Sequence, residues 1–367
     1  MLGSVLLARE TTFGRLSGDK QEILIVILQY QLTAGRIDHH SRFALELRSG
    51  NGKDERLRWS IRHRALVMAL AAIGLGVSGW SHPSLAAPRL QVAATIFPLY
   101  DLVRQVGGSD VEVVLVLPPG ASPHTVAFTP SMMRSLTGSA AIFAIGHGLD
   151  DWAVRLAADA GVPRTVLTDA HIALRSGPPG DHDHGAEQVR RERAEAPGSV
   201  DPHYWLAIPN AMQMVQTIAS VLGELEPAGK SRYEQRAAAY QRELQVADNA
   251  IRQLFAEVVR HDIALFHSAF DYFAAAYGVN IVATFEPVPG QEPGPQHVRE
   301  FLRRLREHNL RVLFIEPQLH AAPLRSLARD IGVKLQELDP LGGIEGRDSY
   351  LALMRFNASQ IASTLRE

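Results

Sequence analysis

The sequence has 367 residues and a formal net charge of −2, with 46% hydrophobic and 21% charged residues. These values are typical of a globular protein long enough for two domains, and no basic stripe with interleaved aromatic residues suggests a nucleic-acid partner. Cysteine is absent, which excludes a disulfide framework, a thiolate metal site, a cysteine nucleophile and a lipid-modified cysteine. A bound metal must therefore be held by nitrogen and oxygen atoms.

The N-terminal part of the sequence carries a targeting signal. Arginines at positions 56, 58, 62 and 64 precede an apolar run at 65–80 and small residues at 84–87. This order predicts a cleaved signal peptide over residues 56–87 and export to the periplasm. The apolar run is shorter than the ~20 residues that a spanning helix needs. Residues 1–55 do not fit in front of a signal peptide, so we expect them to be a non-native extension from a misassigned translation start.

Short apolar runs alternate with amphipathic stretches from Leu90 onward, which predicts α/β lobes with mainly parallel sheets. In the first lobe, residues 88–228, the predicted strands are 90–96, 111–117, 140–145 and 165–167, and the predicted helices are 130–136, 150–160 and 209–222. In the second lobe, residues 260–367, the predicted strands are 262–266, 280–284, 311–315 and 333–338, and the predicted helices are 270–277, 296–308, 321–331 and 349–365.

Two further segments have clear patterns. Residues 231–259 form the longest helical stretch, which at ~1.5 Å per residue is roughly 40 Å long, so residues 229–259 are predicted to link the two lobes as one long helix. Residues 176–198 are rich in glycine, proline and charge, which predicts a mobile surface loop. Its His182 and His184 are either part of a solvated linker or a weak accessory metal site.

Four side chains that can bind a metal follow predicted strands or turns. His124 follows the second strand, His203 lies in an Asp-Pro-His turn, His267 follows the fifth strand and Asp339 follows the last strand. Ligands of open α/β sheets bind outside the carboxyl ends of the strands, so these groups are predicted to converge in the cleft between the lobes. Three imidazoles and one carboxylate suit zinc in a nearly tetrahedral site.

Each of these residues also has a structural explanation. His203 can be a surface or capping residue, and His124 an ordinary loop residue. His267 can cap the helix that begins near Phe270, and Asp339 can cap a turn before Pro340. The residues alone leave both explanations open.

From about Arg89 to its end, the sequence resembles the solute-binding proteins of bacterial zinc and manganese ABC transporters. The resemblance is carried by Gly-Ala-Ser-Pro-His at 120–124, Asp-Pro-His-Tyr-Trp at 201–205, Phe-His-Ser-Ala-Phe-Asp-Tyr-Phe at 266–273, Phe-Ile-Glu-Pro-Gln at 314–318 and Leu-Asp-Pro-Leu-Gly at 338–342. It implies two lobes joined by one long rigid helix, a metal site in the cleft, and ligands His124, His203, His267 and Asp339. Glu316 is a candidate either for a carboxylate that supports these ligands or for an alternative ligand.

The resemblance also implies a function. The chain would be a periplasmic protein, not an enzyme, that captures Zn²⁺ and delivers it to an ABC-type membrane permease. Histidine at position 267 is similar to the zinc branch, because the manganese branch tends to place glutamate there, so Mn²⁺ is the alternative cargo. The loop at 181–184 resembles the His-rich loop of zinc members but is much shorter. We expect a monomer without a small organic substrate.

Two functions from other classes compete with metal transport. A zinc hydrolase needs an open coordination position and a general base, and the sequence has no His-Glu-x-x-His helix. A surface adhesin of the same fold needs a large exposed apolar or aromatic patch, and aromatic residues make up only 7% of the chain.

Overall fold

The structure is a computed structural model and describes residues 89–176, 200–286, 293–319 and 322–366. The predicted extension at 1–55, the predicted signal peptide at 56–87 and the loop histidines His182 and His184 lie outside the described residues. Within the described ranges, no helix combines the length and the apolar character that crossing a membrane requires.

The first lobe is built on a sheet of parallel strands. These are β1 (Leu90–Ala94), β2 (Val111–Leu115), β3 (Ile142–Ala144) and β4 (Thr165–Leu167), in the order β2-β1-β3-β4. Three helices accompany them: α1 (Phe97–Gly107), α2 (Pro130–Leu136) and α3 (Asp151–Asp159). The strand order reverses beside β1, so the carboxyl ends of β1 and β3 form the kind of crevice in which open α/β sheets bind ligands.

Helix α1 is absent from the sequence prediction, which extends the first strand to Ile96. In the structure Ile96 is the extended N-cap residue and Pro98 lies in the first turn, where proline fits because its missing N–H is not needed. Leu99, Leu102, Val103 and Val106 are buried at helical spacing. That spacing is the sequence signal from which α1 is predictable.

One long helix connects the lobes. Helix α4 (Ile208–Leu225) leads into α5 (Lys230–Ala256), which has 27 residues and contacts both α1 and α4. Its buried side chains Tyr240, Leu244, Ala247 and Ile251 lie along one face at helical spacing. The helix ends at Ala256, three residues before the predicted end, and Val258 turns back so that its N–H donates to the Phe255 carbonyl.

The second lobe repeats the architecture of the first. Its strands are β5 (Asp262–His267), β6 (Asn280–Glu286), β7 (Val312–Ile315) and β8 (Lys334–Glu337), all parallel in the order β6-β5-β7-β8. Its helices are α6 (Asp271–Tyr277), α7 (Pro295–Glu307), α8 (Ala322–Ile331) and α9 (Tyr350–Arg366). The predicted fold class, two parallel α/β lobes joined by one long helix, is therefore confirmed.

The two lobes share one hydrophobic core. A single cluster of buried residues includes Val92 and Leu102 from the first lobe, Leu244 from α5, and Leu265 and Ile361 from the second lobe. Helix α5 contacts α6 and α9 as well as α1. Because the core runs through the connection between the lobes, the carboxyl ends of both sheets are held at a defined separation.

Candidate metal centre

His124 lies in a constrained loop that continues β2. After β2 ends, the N–H groups of Val116 and Leu117 still donate to carbonyls at the end of β1. Gly120 then turns the chain with φ of +82°, a conformation that suits glycine. The backbone N–H of His124 donates to Ser122 Oγ at 3.3 Å. These contacts fix the backbone of the loop that carries the His124 side chain.

His203 is buried, and a neighbouring carboxylate orients its ring. Its exposed fraction is 4%, so it is not the surface residue that the sequence left open. Asp201 Oδ1 accepts hydrogen bonds from the His203 backbone N–H at 2.9 Å and from its ring Nδ1 at 2.8 Å. With Nδ1 donating to a carboxylate, Nε2 is free to bind a metal, an arrangement common around metal-bound histidines.

His267 is the last residue of β5 and has the same arrangement. It is 3% exposed, and its Nδ1 lies 3.1 Å from Glu316 Oε1. Glu316 follows β7, the strand beside β5, and is 7% exposed. The strand order of the second sheet reverses between the carboxyl ends of β5 and β7. The hydrogen-bonded pair of His267 and Glu316 lies at this point and directs His267 Nε2 toward the cleft.

The three histidines converge from both lobes. His124, His203 and His267 each offer a ring nitrogen, and these nitrogens lie within 4.8 Å of one another. The His124 and His203 ring centroids are 5.7 Å apart, and each ring lies 5.2 Å from the His267 ring. Zinc–nitrogen bonds of about 2.0–2.1 Å place tetrahedral ligand atoms roughly 3.4 Å apart, so a small inward movement of the rings is sufficient for coordination.

His124 is held in its metal-binding protonation state. Burial lowers the pKa of His124 from 6.5 to about 2, and the nearby His203 and His267 lower it in the same direction. A neutral imidazole is the form that coordinates a metal. The ring is therefore ready to bind at neutral pH without first losing a proton.

Asp339 is fully buried but is not a member of the three-histidine group. Its Oδ1 accepts from the Leu341 and Gly342 amides at 2.9 Å each and from Gln318 Nε2 at 2.7 Å. Oδ1 therefore has the turn-capping role that the sequence left open for Asp339. The other oxygen, Oδ2, lies 3.1 Å from Arg347 Nη1, and it is the oxygen that can coordinate a metal.

Aromatic side chains form the wall behind His203. Trp205 is fully buried, its ring centroid lies 5.3 Å from that of His203, and its Nε1 donates to the Pro340 carbonyl at 2.8 Å. Tyr204 is also buried, and its hydroxyl contacts the Ile145 carbonyl at 3.0 Å. The wall excludes water from one side of the histidines and ties the His203 segment to the residue after Asp339.

Sequence reasoning missed three contributors to this site. Asp201 was used only as the residue before a proline, although its spacing of two residues from His203 is a signal that its carboxylate can reach the ring. Gln318 and Arg347 contact Asp339 across 21 and 8 residues of sequence. No local pattern in the sequence announces those two contacts.

Taken together, two parallel-sheet lobes, a long connecting helix and a histidine cluster in the cleft define a metal-binding solute-binding protein. Residues 92–364 match the family model described as zinc-uptake complex component A, periplasmic. The chain belongs to this family. Its members are solute-binding proteins rather than enzymes.

Known relatives include proteins named for zinc and for manganese. The zinc-binding lipoprotein AdcA of Streptococcus pneumoniae is 26% identical over 294 residues, which cover 77% of this chain and 57% of AdcA. The manganese ABC transporter substrate-binding lipoprotein PsaA of the same species is 26% identical over 314 residues, covering 83% of this chain and 96% of PsaA. The chain thus spans little more than half the length of AdcA.

A solved structure shows the same fold. The crystal structure of a ZnuA matches with a TM-score of 0.65 and 26% identity, covering 75% of this chain and 99% of that one. The sequence-based assignment to the zinc and manganese solute-binding proteins is therefore confirmed.

Proposed function

We propose that this protein captures Zn²⁺ in the periplasm and delivers it to an ABC-type permease. The observation that carries the proposal is the convergence of three imidazole nitrogens within 4.8 Å, two of them on the buried side chains of His203 and His267. His124, His203 and His267 bind the ion through nitrogen, and Asp339 Oδ2 moves in as the fourth ligand. Three nitrogens and one oxygen form the ligand set that zinc prefers.

The charges around the cluster favour a divalent cation. Asp201 and Glu316 are buried carboxylates, 3% and 7% exposed, and each accepts a hydrogen bond from one of the ligand histidines. Buried charges are expensive unless they are paired. A doubly charged cation bound to the imidazoles offsets more of the buried negative charge of Asp201, Glu316 and the proposed ligand Asp339 than a monovalent ion does.

Manganese is the second candidate, because PsaA, named for manganese, is as similar to this chain as AdcA is. Mn²⁺ prefers oxygen ligands. Here the described cluster is all nitrogen, and Asp339 Oδ1 already accepts three hydrogen bonds. Bidentate coordination by Asp339 would require those bonds to break, which supports zinc over manganese.

The remaining features of the proposal rest on the family resemblance and on the sequence. Delivery to a membrane permease, a periplasmic location after signal-peptide cleavage, and a monomeric state are proposed together with zinc as cargo. His182 and His184 remain candidates for a weak accessory site. A closed shell of four protein ligands leaves no position for a reactive water molecule, which argues against zinc hydrolysis.

Metal content tests the proposal. The purified protein is dialysed against trace-metal buffer and analysed by mass spectrometry beside His267→Ala and His147→Ala. We expect about one zinc ion per chain, lost in His267→Ala because one nitrogen ligand is missing. His147 is the matched control, since its Nε2 pairs with Asp169 Oδ2 at 3.0 Å and it is not in the cluster.

Other outcomes have distinct meanings. Bound manganese in place of zinc would transfer the chain to the manganese-binding members and overturn the argument from nitrogen ligands. Retention of zinc by His267→Ala would refute the site, and so would the absence of any tightly held metal from the wild-type protein.

A further inference from the structure

The positively charged side chain of Arg347 lies close to the proposed ligand set, and the transport function does not explain its position. Arg347 Nη1 donates to Asp339 Oδ2 at 3.1 Å, and the side chains are 13% and 0% exposed. The same Nη1 also donates to Glu337 Oε1, on a side chain that is 41% exposed. A positive charge shared between two carboxylates, one of them a proposed zinc ligand, opposes the arrival of a divalent cation.

Only one oxygen of the Asp339 carboxylate, Oδ2, can exchange its present partner for a metal. Its Oδ1 is held by two amides of the following turn and by Gln318 Nε2. The backbone of Asp339 is fixed as well, since its N–H donates to Asn357 Oδ1 at 2.9 Å and Asn357 Nδ2 donates to its carbonyl at 2.6 Å. A metal that binds Oδ2 therefore comes to lie next to the Arg347 guanidinium.

The position of Arg347 is set by a tight turn, while its guanidinium has a second partner. The Gly343 N–H donates to the Arg347 carbonyl at 2.8 Å, and the Arg347 N–H donates to the Ile344 carbonyl at 2.9 Å. A Cβ atom on Gly342, which has φ of +72°, would lie 2.9 Å from the Arg347 carbonyl oxygen, so the turn tolerates little variation. The guanidinium stacks 4.3 Å from the centroid of the Phe356 ring, which leaves it close to both carboxylates.

We propose that the Arg347 guanidinium acts as a lock on Asp339, by which we mean that it pairs with Oδ2 in the metal-free protein and competes with the metal for this oxygen. When the protein captures a metal, the guanidinium moves to Glu337. This inference rests on the proposed function, because it assigns a regulatory residue to the same site. In the metal-free protein, the Arg347 contact compensates a fully buried carboxylate. In the metal-bound protein, the ion takes over that role, and the more exposed Glu337 accepts Arg347.

The lock sets the balance between capture and release. A site that lacked it would hold zinc more tightly and release it more slowly, because the carboxylate would be free and the nearby positive charge absent. A transport protein must release the metal that it carries, and a guanidinium that competes with the metal for Asp339 Oδ2 favours this release. Arg347 is thus a positioning residue for Asp339 that lowers metal affinity.

The test compares three variants of the full chain with the wild-type protein. Arg347→Met removes the charge but keeps an unbranched side chain against Phe356, Arg347→Lys keeps the charge, and Glu337→Gln removes the alternative partner. Each protein is stripped with a chelator, titrated with zinc against a chromophoric competitor, and then mixed with excess chelator in a stopped-flow instrument to measure release.

Arg347→Met and Glu337→Gln are expected to change zinc affinity in opposite directions. Arg347→Met binds zinc roughly tenfold more tightly and releases it more slowly, since a nearby like charge is lost. Arg347→Lys stays close to the wild-type affinity, and Glu337→Gln binds more weakly because Arg347 then pairs with Asp339 alone. Thermal unfolding supplies a second measurement: zinc raises the melting temperature of Arg347→Met more than that of the wild-type protein.

Unchanged or weaker zinc binding by Arg347→Met would overturn the lock and leave Arg347 as a support for the turn. If Arg347→Met does not fold, Glu337→Gln decides, and an unchanged affinity in that variant overturns the lock. Failure of the proposed function gives a different result, namely a wild-type protein that binds no zinc or a His267→Ala variant that binds it as well as the wild type does.

Discussion

Two carboxylates beside the histidine cluster determine how its rings are presented. Asp201 holds both the backbone N–H and the ring Nδ1 of His203, and Glu316 holds the ring Nδ1 of His267. Each carboxylate fixes the tautomer that leaves Nε2 for the metal and makes the ring a stronger donor. The proposed metal ligands and the carboxylates that support them therefore form one unit drawn from both lobes.

Replacing Asp201 tests this unit without removing a proposed ligand. We expect Asp201→Asn to lower zinc affinity by about 10- to 100-fold, the usual effect of losing such a partner, while the protein remains folded. Competition titration with a chromophoric chelator measures the change. Asp169→Asn is the matched control, because Asp169 forms the same kind of pair with His147 outside the cluster. Equal affinities for Asp201→Asn and Asp169→Asn would contradict the role of Asp201.

The low pKa of His124 predicts how stability depends on pH in the metal-free protein. The unfolded chain protonates His124 as pH falls through 6.5, whereas the folded protein keeps it neutral until pH is near 2. Between these values the unfolded state binds more protons, so the free energy of unfolding falls as pH falls. This contribution to stability is complete well above pH 6.5 and is lost progressively as pH falls below that value.

His124→Gln removes this titration while keeping a polar side chain. Urea unfolding of the chelator-stripped wild-type and variant proteins at pH 7.5 and pH 5 measures the difference. We expect the variant to lose less stability than the wild-type protein between the two pH values. An identical loss in both proteins would mean that His124 is protonated in the folded state as readily as in the unfolded chain.

At the scale of helices and strands, the sequence predicts what local patterns determine. His267 ends β5 and His124 lies in the loop after β2, as predicted, because an apolar run of strand length precedes each of them. The long helix α5 was predicted as the longest helical stretch of the sequence, although it begins and ends one to three residues away from the prediction. The ligand roles of these histidines stay predictions, since spacing alone fixes position and not chemistry.

Contacts between distant segments lie beyond such patterns. Arg236 on α5 donates to the Val106 and Gly107 carbonyls at 2.7 and 2.8 Å, so it caps the carboxyl end of α1 and joins α5 to the first lobe. On the same helix, Asp248 accepts from the Tyr277 hydroxyl of α6 at 2.9 Å. In sequence both residues look like ordinary solvent-exposed charges of an amphipathic helix. Their partners are known only once the helices have packed.

At the scale of the whole molecule, hydrogen bonds join the lobes next to the metal centre. Asp101 of α1 accepts from the Tyr350 N–H at the start of α9, at 2.9 Å. The Tyr350 hydroxyl donates to the Trp205 carbonyl at 2.6 Å, and Trp205 Nε1 donates to the Pro340 carbonyl. We expect this chain of contacts, together with the shared core, to restrict the lobes to small movements, in contrast to a wide hinge.

Tyr350→Phe breaks one link of this chain, and Tyr240→Phe is its matched control. Both tyrosines are buried, at 0% and 4% exposed, but the Tyr240 hydroxyl has no hydrogen-bond partner within the described ranges. Loss of the Tyr350 hydroxyl leaves the Trp205 carbonyl without this donor, so we expect a loss of about 1–3 kcal/mol in the free energy of unfolding. Tyr240→Phe should lose none, because no hydrogen bond is removed.

The same pair of variants tests how far the lobes move. In the wild-type protein and in Tyr240→Phe, small-angle X-ray scattering should give the same radius of gyration with and without zinc, because the joined lobes can close only slightly. In Tyr350→Phe the metal-free protein should be more open, so that zinc produces a measurable decrease. A clear decrease already in the wild-type protein would show that the contacts around Tyr350 and Trp205 open with the cleft, and that zinc capture depends on a hinge.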